Sequence, residues 1–258
     1  MIMLSAVTVN LNNKKGLLTT CRSIRKLKEK QWFEHIIVDG GSSDGSTDHI
    51  PAPDLLRTTV ISETDRGIYD AMNKGVVASR GVYIWMLNSG DEFADEISME
   101  NYIHSMKQNN IDLALFGSYI VDTELNYRWR HFVNYRKLSY MMSVVHQSVL
   151  VKREAHRQYG LYHLKYKLAS DYAFISSLAM REYIRTSISR KPLSIYYIGG
   201  LSDKHFMRTR LEISHSTGNR SLVLAFFSAS YFLLTFVSHK TRKLRNNILV
   251  FLNPFLNR

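Results

Sequence analysis

Carboxylates in this 258-residue chain stand where apolar runs give way to polar loops. The run Phe33 to Val38 ends at Asp39-Gly40-Gly41-Ser42-Ser43-Asp44-Gly45-Ser46, a loop pliable enough to fold round a small molecule. A carboxylate so placed accepts hydrogen bonds from a base N–H or from ribose hydroxyls. The same letters also spell an Asp/Ser/Gly turn that caps the next helix. The run Val82 to Leu87 ends at Asn88-Ser89-Gly90-Asp91, with Glu92 beside it. Carboxylates at a strand end suit a hard divalent cation that keeps open positions for phosphate oxygens. Between the two, Asp65, Arg66, Asp70, Asn73 and Lys74 crowd one loop and the helix after it. On that helix Gly67, Asp70 and Lys74 share a face with Asn73 alongside, which describes either a ligand-facing surface or a capped, solvated one. Asp171 opens the apolar run to Met180 and is at least a helix N-terminal carboxylate set against the dipole.

The elements that must position these groups are legible from periodicity. Leu4 to Val9 reads as a strand ending in Asn10, Asn12 and Asn13, then a helix from about Lys14 to Lys30, then the strand Phe33 to Val38. This βαβ opening implies a parallel sheet with ligands at the carboxyl ends of its strands. Thr59 to Ser62 follows as a strand, Gly67 to Ser79 as a helix and Val82 to Leu87 as a buried strand. Further on, Ile97 to Gln108 and Ser170 to Met180 read as helices, and Leu113 to Val121, His146 to Val151 and Leu193 to Ile198 as strands. Tyr127 to Tyr140 interleaves aromatic and basic residues, offering stacking faces or merely a solvated face with buried rings.

Composition sets the outer bounds. Hydrophobic residues at 45% and charged ones at 22% exclude wholesale disorder and low-complexity architectures. The single cysteine, Cys21, lies at helical spacing with Leu17, Leu18, Ile24 and Leu27 and reads as a buried thiol. The net charge is +12, and from Gly199 onward nine Lys or Arg stand against Asp203 and Glu212. Leu222 to Val237 carries no charge and is followed at once by a Lys/Arg cluster from Lys240 to Arg245. That pattern is short for a bilayer span, which takes about 20 apolar residues, and better suits a helix lying in an anionic membrane surface. The first residues lack a basic n-region, so the amino terminus is expected to stay in the cytoplasm.

The segments Ser5 to Asn10, Ile37 to Ser46, Ser62 to Gly75 and Leu87 to Asp91, in this order and spacing, resemble the family-2 glycosyltransferases of GT-A fold. Gly67-Ile68-Tyr69-Asp70-Ala71-Met72-Asn73-Lys74-Gly75 is most similar to members that build bacterial exopolysaccharide, capsule and O-antigen, including colanic acid enzymes. The resemblance implies an α/β fold: a Rossmann-like, mostly parallel mixed sheet flanked by helices. It covers a GT-A domain over residues 1–203, with a nucleotide-sugar half over 1–95 and an acceptor half over 96–203. Residues 204–258 would be a basic, apolar helical tail that associates with the membrane.

Roles follow from the resemblance residue by residue. Asp39 and Asp44 would hold the nucleoside, with Asn10 and Asn12 lining the same pocket. Asp65, Arg66, Asp70, Asn73 and Lys74 would approach the ribose, diphosphate and donor sugar, joined by Asn88 and His146. The family's metal motif, Asp-x-Asp or Asp-x-Asp-Asp, falls on Asn88, Gly90 and Asp91, so Asp91 alone would ligate Mg2+ or Mn2+, with Glu92 helping through water. Asp171 matches the inverting members' base, which takes the acceptor proton as the hydroxyl attacks the anomeric carbon. Gly199 to Ser202 matches a loop after the last core strand. The expected partners are a nucleotide-sugar donor, a polyprenyl-diphosphate-linked glycan acceptor and the cytoplasmic face of the bacterial inner membrane. Single-stranded nucleic-acid binding is a rival reading of the charge, but acidic residues crowd the loops where a nucleotide would sit. A sugar nucleotidyltransferase would need a glycine-rich triphosphate loop, which Asn10 to Gly16 is not.

Overall fold

The computed structural model describes residues 1–48, 50–139 and 143–216. Its strands are β1 Leu4–Asn10, β2 Phe33–Asp39, β3 Thr58–Ser62, β4 Tyr83–Met86, β5 Glu92–Phe93, β6 Leu113–Asp122, β7 Tyr127–His131, β8 Val149–Lys152 and β9 Thr186–Tyr197. The helices are α1 Lys14–Ser23, α2 Arg25–Lys28, α3 Ala52–Leu55, α4 Ile68–Ala78, α5 Met99–Gln108, α6 Arg153–Tyr159, α7 Ser170–Ala179, α8 Leu201–Lys204 and α9 Phe206–Ser216.

One sheet runs β3-β2-β1-β4-β8-β6-β9-β5, with β7 added beside β6. The β1–β2, β2–β3, β1–β4 and β6–β9 pairs are parallel, whereas β8, β7 and β5 run antiparallel to their neighbours. Strands covered on both faces need apolar residues at every position, and β1, β2 and β4 are buried throughout. The pleat sorts them: Val7, Val9, Ile36, Val38, Ile84 and Met86 face a core shared with α4, α6 and α7, while Leu4, Ala6, Tyr83 and Trp85 face one shared with α5. The architecture is the mixed, mostly parallel α/β sheet that the sequence implied.

Three elements differ from the periodicity reading, each for a local reason. The helix expected over residues 14–30 breaks at Ile24, whose φ and ψ of −100° and 7° start a second short helix. The break turns the Lys28 ammonium inward, where it donates to the Asp54 carbonyl and the Thr58 hydroxyl. The strand expected from His146 starts as a 3₁₀ turn over His146–Ser148 and extends only from Val149. The strand expected from Leu193 is the end of the longer β9, which keeps pairing past Pro192 through a register shift opposite Gly117. A proline has no N–H for the ladder, and an irregular register accommodates it.

Helix α4 lies against β1 so closely that a Cβ on Gly75 would fall 2.2 Å from Val7 Cγ1. Only glycine permits that approach, which sets the height of the helix above the sheet. Beyond residue 203 the chain still belongs to the folded body. The expected boundary cuts α8, and α9 buries Ile213 in the core. On α9, Glu212 Oε2 accepts hydrogen bonds from the backbone N–H groups of Lys167, Leu168 and Ala169, which lead into α7. The apolar run Leu222–Val237 and its basic cluster lie outside the described residues. Among the described residues no helix is long and apolar enough to cross a membrane.

Candidate active site

The carboxyl ends of β1, β2 and β4 meet where the sheet order switches direction, β1 feeding β2 on one side and lying against β4 on the other. Such switch points open crevices for ligands. Asn10 closes β1 and ties both neighbours together: its amide donates to Asp39 Oδ1 at 2.8 Å, and its Oδ1 accepts from the Ser89 hydroxyl at 2.7 Å. Asp39 is buried and accepts further bonds from the Ser42 hydroxyl and from the backbone N–H groups of Gly41 and Ser42. Burial works to raise its pKa, but the Ser42 and Asn10 donors outweigh it and hold the carboxyl below its ordinary value. Asp39 is therefore an anion that shapes the loop. Asn12, at φ +49°, receives the Ser43 N–H on its side-chain oxygen, and Asp44 accepts the N–H of Lys14 at the start of α1.

The second group rides on α4 and the turn before it. Asp65 Oδ1 accepts the Gly67 N–H at 2.7 Å. Asp70 receives both the backbone N–H and the guanidinium of Arg66, and those bonds hold its carboxyl below the ordinary value. Lys74 reaches Glu63 at 2.8 Å and Asp70 at 3.8 Å. Asn73 does something else: its amide donates to the Tyr162 carbonyl, and its oxygen accepts the Tyr162 N–H, both at 2.9 Å. That reciprocal pair straps the segment before α7 onto α4.

Asp91 is buried, and its Oδ2 accepts from the Gln147 side-chain amide at 2.7 Å. Desolvation raises its pKa to about 7, with Asp203 and Glu92 adding like charge and Gln147 and the Tyr197 N–H opposing. The turn carrying it is cinched by Thr20, whose hydroxyl donates to the carbonyls of Asn88 and Asp91 and accepts the Gly90 N–H. Gly90 sits at φ +104°, which explains why no carboxylate stands there. The Asn88 side-chain oxygen is buried with no hydrogen-bond partner among the described residues. A carboxylate raised by burial, with an orphaned side-chain oxygen three residues before it on the same turn, is a donor set that fits a divalent ion whose other ligands come from phosphate and water. Among the described residues no group of three His, Cys, Asp or Glu could hold a metal by itself. Glu92 turns away to accept from the Tyr197 hydroxyl, and Asp203 accepts from Tyr196 and the N–H groups of Gly199 and Gly200.

Asp171, in the first turn of α7, faces Tyr69 and His146. Its Oδ1 accepts the Tyr69 hydroxyl at 2.8 Å, and its Oδ2 lies 3.8 Å from His146 Nδ1. His146 Nε2 and the Tyr162 hydroxyl are 3.2 Å apart. Burial keeps His146 below its ordinary pKa despite the nearby Asp171 charge, so it is neutral at physiological pH. The fold thus joins the separate sequence candidates into one chain of contacts: Asp39 to Asn10, Asn10 to Ser89, the turn to Asp91, Asp91 to Gln147, and the adjoining His146 to Asp171. Asn12, Asp44, Asp65, Arg66, Asp70 and Lys74 line the same strand-end edge, and Asn73 works as the strap. Sequence reading missed Tyr69, Tyr162, Tyr197 and Asp203 as site residues, since nothing in the periodicity of their segments sets them apart.

The family model for glycosyl transferase family 2 matches residues 5–186. A PGL/p-HBAD biosynthesis glycosyltransferase of Mycobacterium bovis is 28% identical over 200 residues, covering 74% of this chain and 77% of the relative. An uncharacterized glycosyltransferase of Mycobacterium tuberculosis is 36% identical over 90 residues, which is 35% of this chain and 34% of the relative. In three dimensions the chain is similar to residues 1–349 of S. aureus TarS, also solved with UDP-GlcNAc, at TM-scores of 0.62 and 0.60. Both are 15% identical and cover 86% of this chain, and 67% and 68% of TarS 1–349 respectively. The mannosyltransferase PcManGT from Pyrobaculum calidifontis, solved with GDP-Man and Mn2+, gives 0.59 at 13% identity over 83% of this chain and 62% of its own.

Proposed function

Because the chain belongs to glycosyl transferase family 2 and is a glycosyltransferase of GT-A fold, we propose that it moves a sugar, with inversion, from a nucleotide-sugar to a hydroxyl of a lipid-linked glycan acceptor. The observation that carries this reading is a set of linked contacts: Asn10 bonds both Asp39 and Ser89, Gln147 bonds Asp91 two residues past Ser89, and His146, next to Gln147, stands 3.8 Å from Asp171. In that reading an anionic loop, a carboxylate for a cation and a carboxylate for the acceptor proton serve one site.

Each residue has a task in that scheme. The loop Asp39 to Ser46, kept rigid by its internal hydrogen bonds, receives the nucleoside. Arg66 and Lys74, on the loop and helix beside it, face the donor's diphosphate. Asp91 and the Asn88 oxygen would hold Mg2+ or Mn2+, which when bound supplies positive charge against the phosphate oxygens. Asp171 Oδ2 takes the acceptor proton as the hydroxyl attacks the anomeric carbon from the face opposite the leaving diphosphate. The departing oxygen and the entering one lie in line, so one displacement suffices and the configuration inverts.

The acceptor class and the setting belong to the same proposal. The basic, apolar sequence after residue 216 suits a peripheral seat on the cytoplasmic membrane face, which is where a lipid-linked acceptor would be met. Surface polysaccharide synthesis is the role we assign. The test is a panel of UDP-, GDP- and dTDP-sugars scored for nucleoside diphosphate release with and without Mn2+. Release from one donor, dependent on the ion and lost in Asp91→Ala and Asp171→Ala, is expected. Full transfer by both variants would overturn the site.

A further inference from the structure

We propose that Tyr69 is the positioning residue of the transfer reaction, a phenol that selects which oxygen of Asp171 meets the acceptor. The inference rests on Asp171 being the base. A carboxylate in the first turn of a helix has an easy alternative to catalysis, because it can fold back onto the free N–H groups of its own helix. Here one of its oxygens is already engaged by a partner outside the helix: the Tyr69 hydroxyl, on α4, donates to Asp171 Oδ1 at 2.8 Å. One phenol therefore ties one arm of the α7 carboxylate to α4.

The other arm is left for chemistry. Oδ2 faces His146 Nδ1 at 3.8 Å, too long for a hydrogen bond. The Asp171 side chain keeps 14% of its surface open. The groups around it come from three elements: Tyr69 from α4, His146 from the 3₁₀ turn, and Tyr162 from the segment before α7. Tyr162 stands beyond His146, its hydroxyl 3.2 Å from Nε2. With a carboxylate on the Nδ1 side, the favoured tautomer carries its proton on Nδ1 and accepts the Tyr162 proton on Nε2. His146 thus walls Oδ2 without capturing it.

Tyr69 itself is held from several sides. It is buried, its ring lies 6.0 Å from that of Tyr162, and its helix is pinned to β1 at Gly75 and strapped at Asn73. A hydrogen bond to a carboxylate makes it a weaker base, so the phenol is useful here only through orientation, which enzymes reward steeply.

Tyr69→Phe removes the hydroxyl and keeps the ring. In the full chain, assayed with the active donor of the panel, it is expected to lower kcat tenfold or more and leave the donor KM within about twofold. Carbon-13 labelling of aspartate gives a readout free of turnover. The carboxyl resonance that Asp171→Asn deletes should change its chemical shift in Tyr69→Phe at one fixed pH, since the hydrogen bond to one of its oxygens has been removed. If Asp171→Asn is inactive while Tyr69→Phe keeps the wild-type kcat and carboxyl chemical shift, the role of Tyr69 falls and the base assignment stands. If Asp171→Asn transfers at the wild-type rate, the base assignment falls and Tyr69 with it.

Discussion

Asp91 carries the largest electrostatic tension among the site carboxylates described here. Its folded pKa, raised by burial to about 7, exceeds that of a free carboxyl, so between roughly pH 4 and 7 the native chain binds more protons than the unfolded one. Stability falls as pH rises through that window. Asp91→Asn should accordingly unfold at a higher temperature than wild type at pH 8, on the order of 5 °C, and show little difference at pH 4. Calorimetric scans at the two pH values decide it. An ion that needs the carboxylate should reverse the effect: Mn2+ with nucleotide should protect the wild type more at pH 8 than at pH 6, and should not protect Asp91→Asn. Cys21 is a contrasting case. It is buried as its spacing indicated, and burial pushes its thiol up to about 11, so it has no part in the chemistry.

At the scale of elements, two close contacts govern where the site residues stand. Gly75→Ala should destabilise the protein by about 1–3 kcal/mol through overpacking, although alanine is the better helix former, because Val7 is stiff and buried. Chemical denaturation of Gly75→Ala, Val7→Ala and the double variant gives the coupling, and the pair should recover part of the loss. Glu212 is the other contact. Truncation to alanine leaves three backbone N–H groups before α7 without their acceptor, at a cost of about 1–3 kcal/mol, and should depress kcat more than donor affinity. The strands and helices of the first half were legible because their apolar residues alternate or recur cleanly. The bend at Ile24 and the 3₁₀ turn at His146 were not, since both are set by what Lys28 and Gln147 reach across the fold. The same holds for the site. Strand ends gave Asp39 and Asp91 as candidates, and the family resemblance gave Asp91 and Asp171 their roles, whereas Tyr69 and Gln147 act through partners 102 and 56 residues away in the chain. The aromatic and basic stretch is partly engaged by the rest of the fold: Arg128 lies 3.5 Å over the Tyr119 ring, and Arg130 pairs with Glu96.

For the whole molecule, the family match over residues 5–186 ends where β9 begins, yet β9, α8 and α9 complete the sheet and the clasp on α7. The uneven charge then bears on location. The full chain is expected to sediment with vesicles containing phosphatidylglycerol at low salt and to be released as salt rises. The chain ended after Ser216 should stay in the supernatant at every salt concentration. Equal sedimentation of the two would move the membrane contact onto the folded body.

The turn at Gly90 also dictates how the enzyme can be re-engineered. A designer testing the proposed ion site would be drawn to put an aspartate at Gly90, where the family resemblance places one and where a Cβ would meet nothing nearer than Asn13 at 3.6 Å. Room is not the obstacle, because at φ +104° any side chain strains the backbone and deforms the loop that presents Asp91. On the proposed ion site Asn88→Asp is the route to try: it swaps an unpartnered buried oxygen for a charged one of the same shape, and is expected to cost apo-enzyme stability while raising Mn2+ affinity.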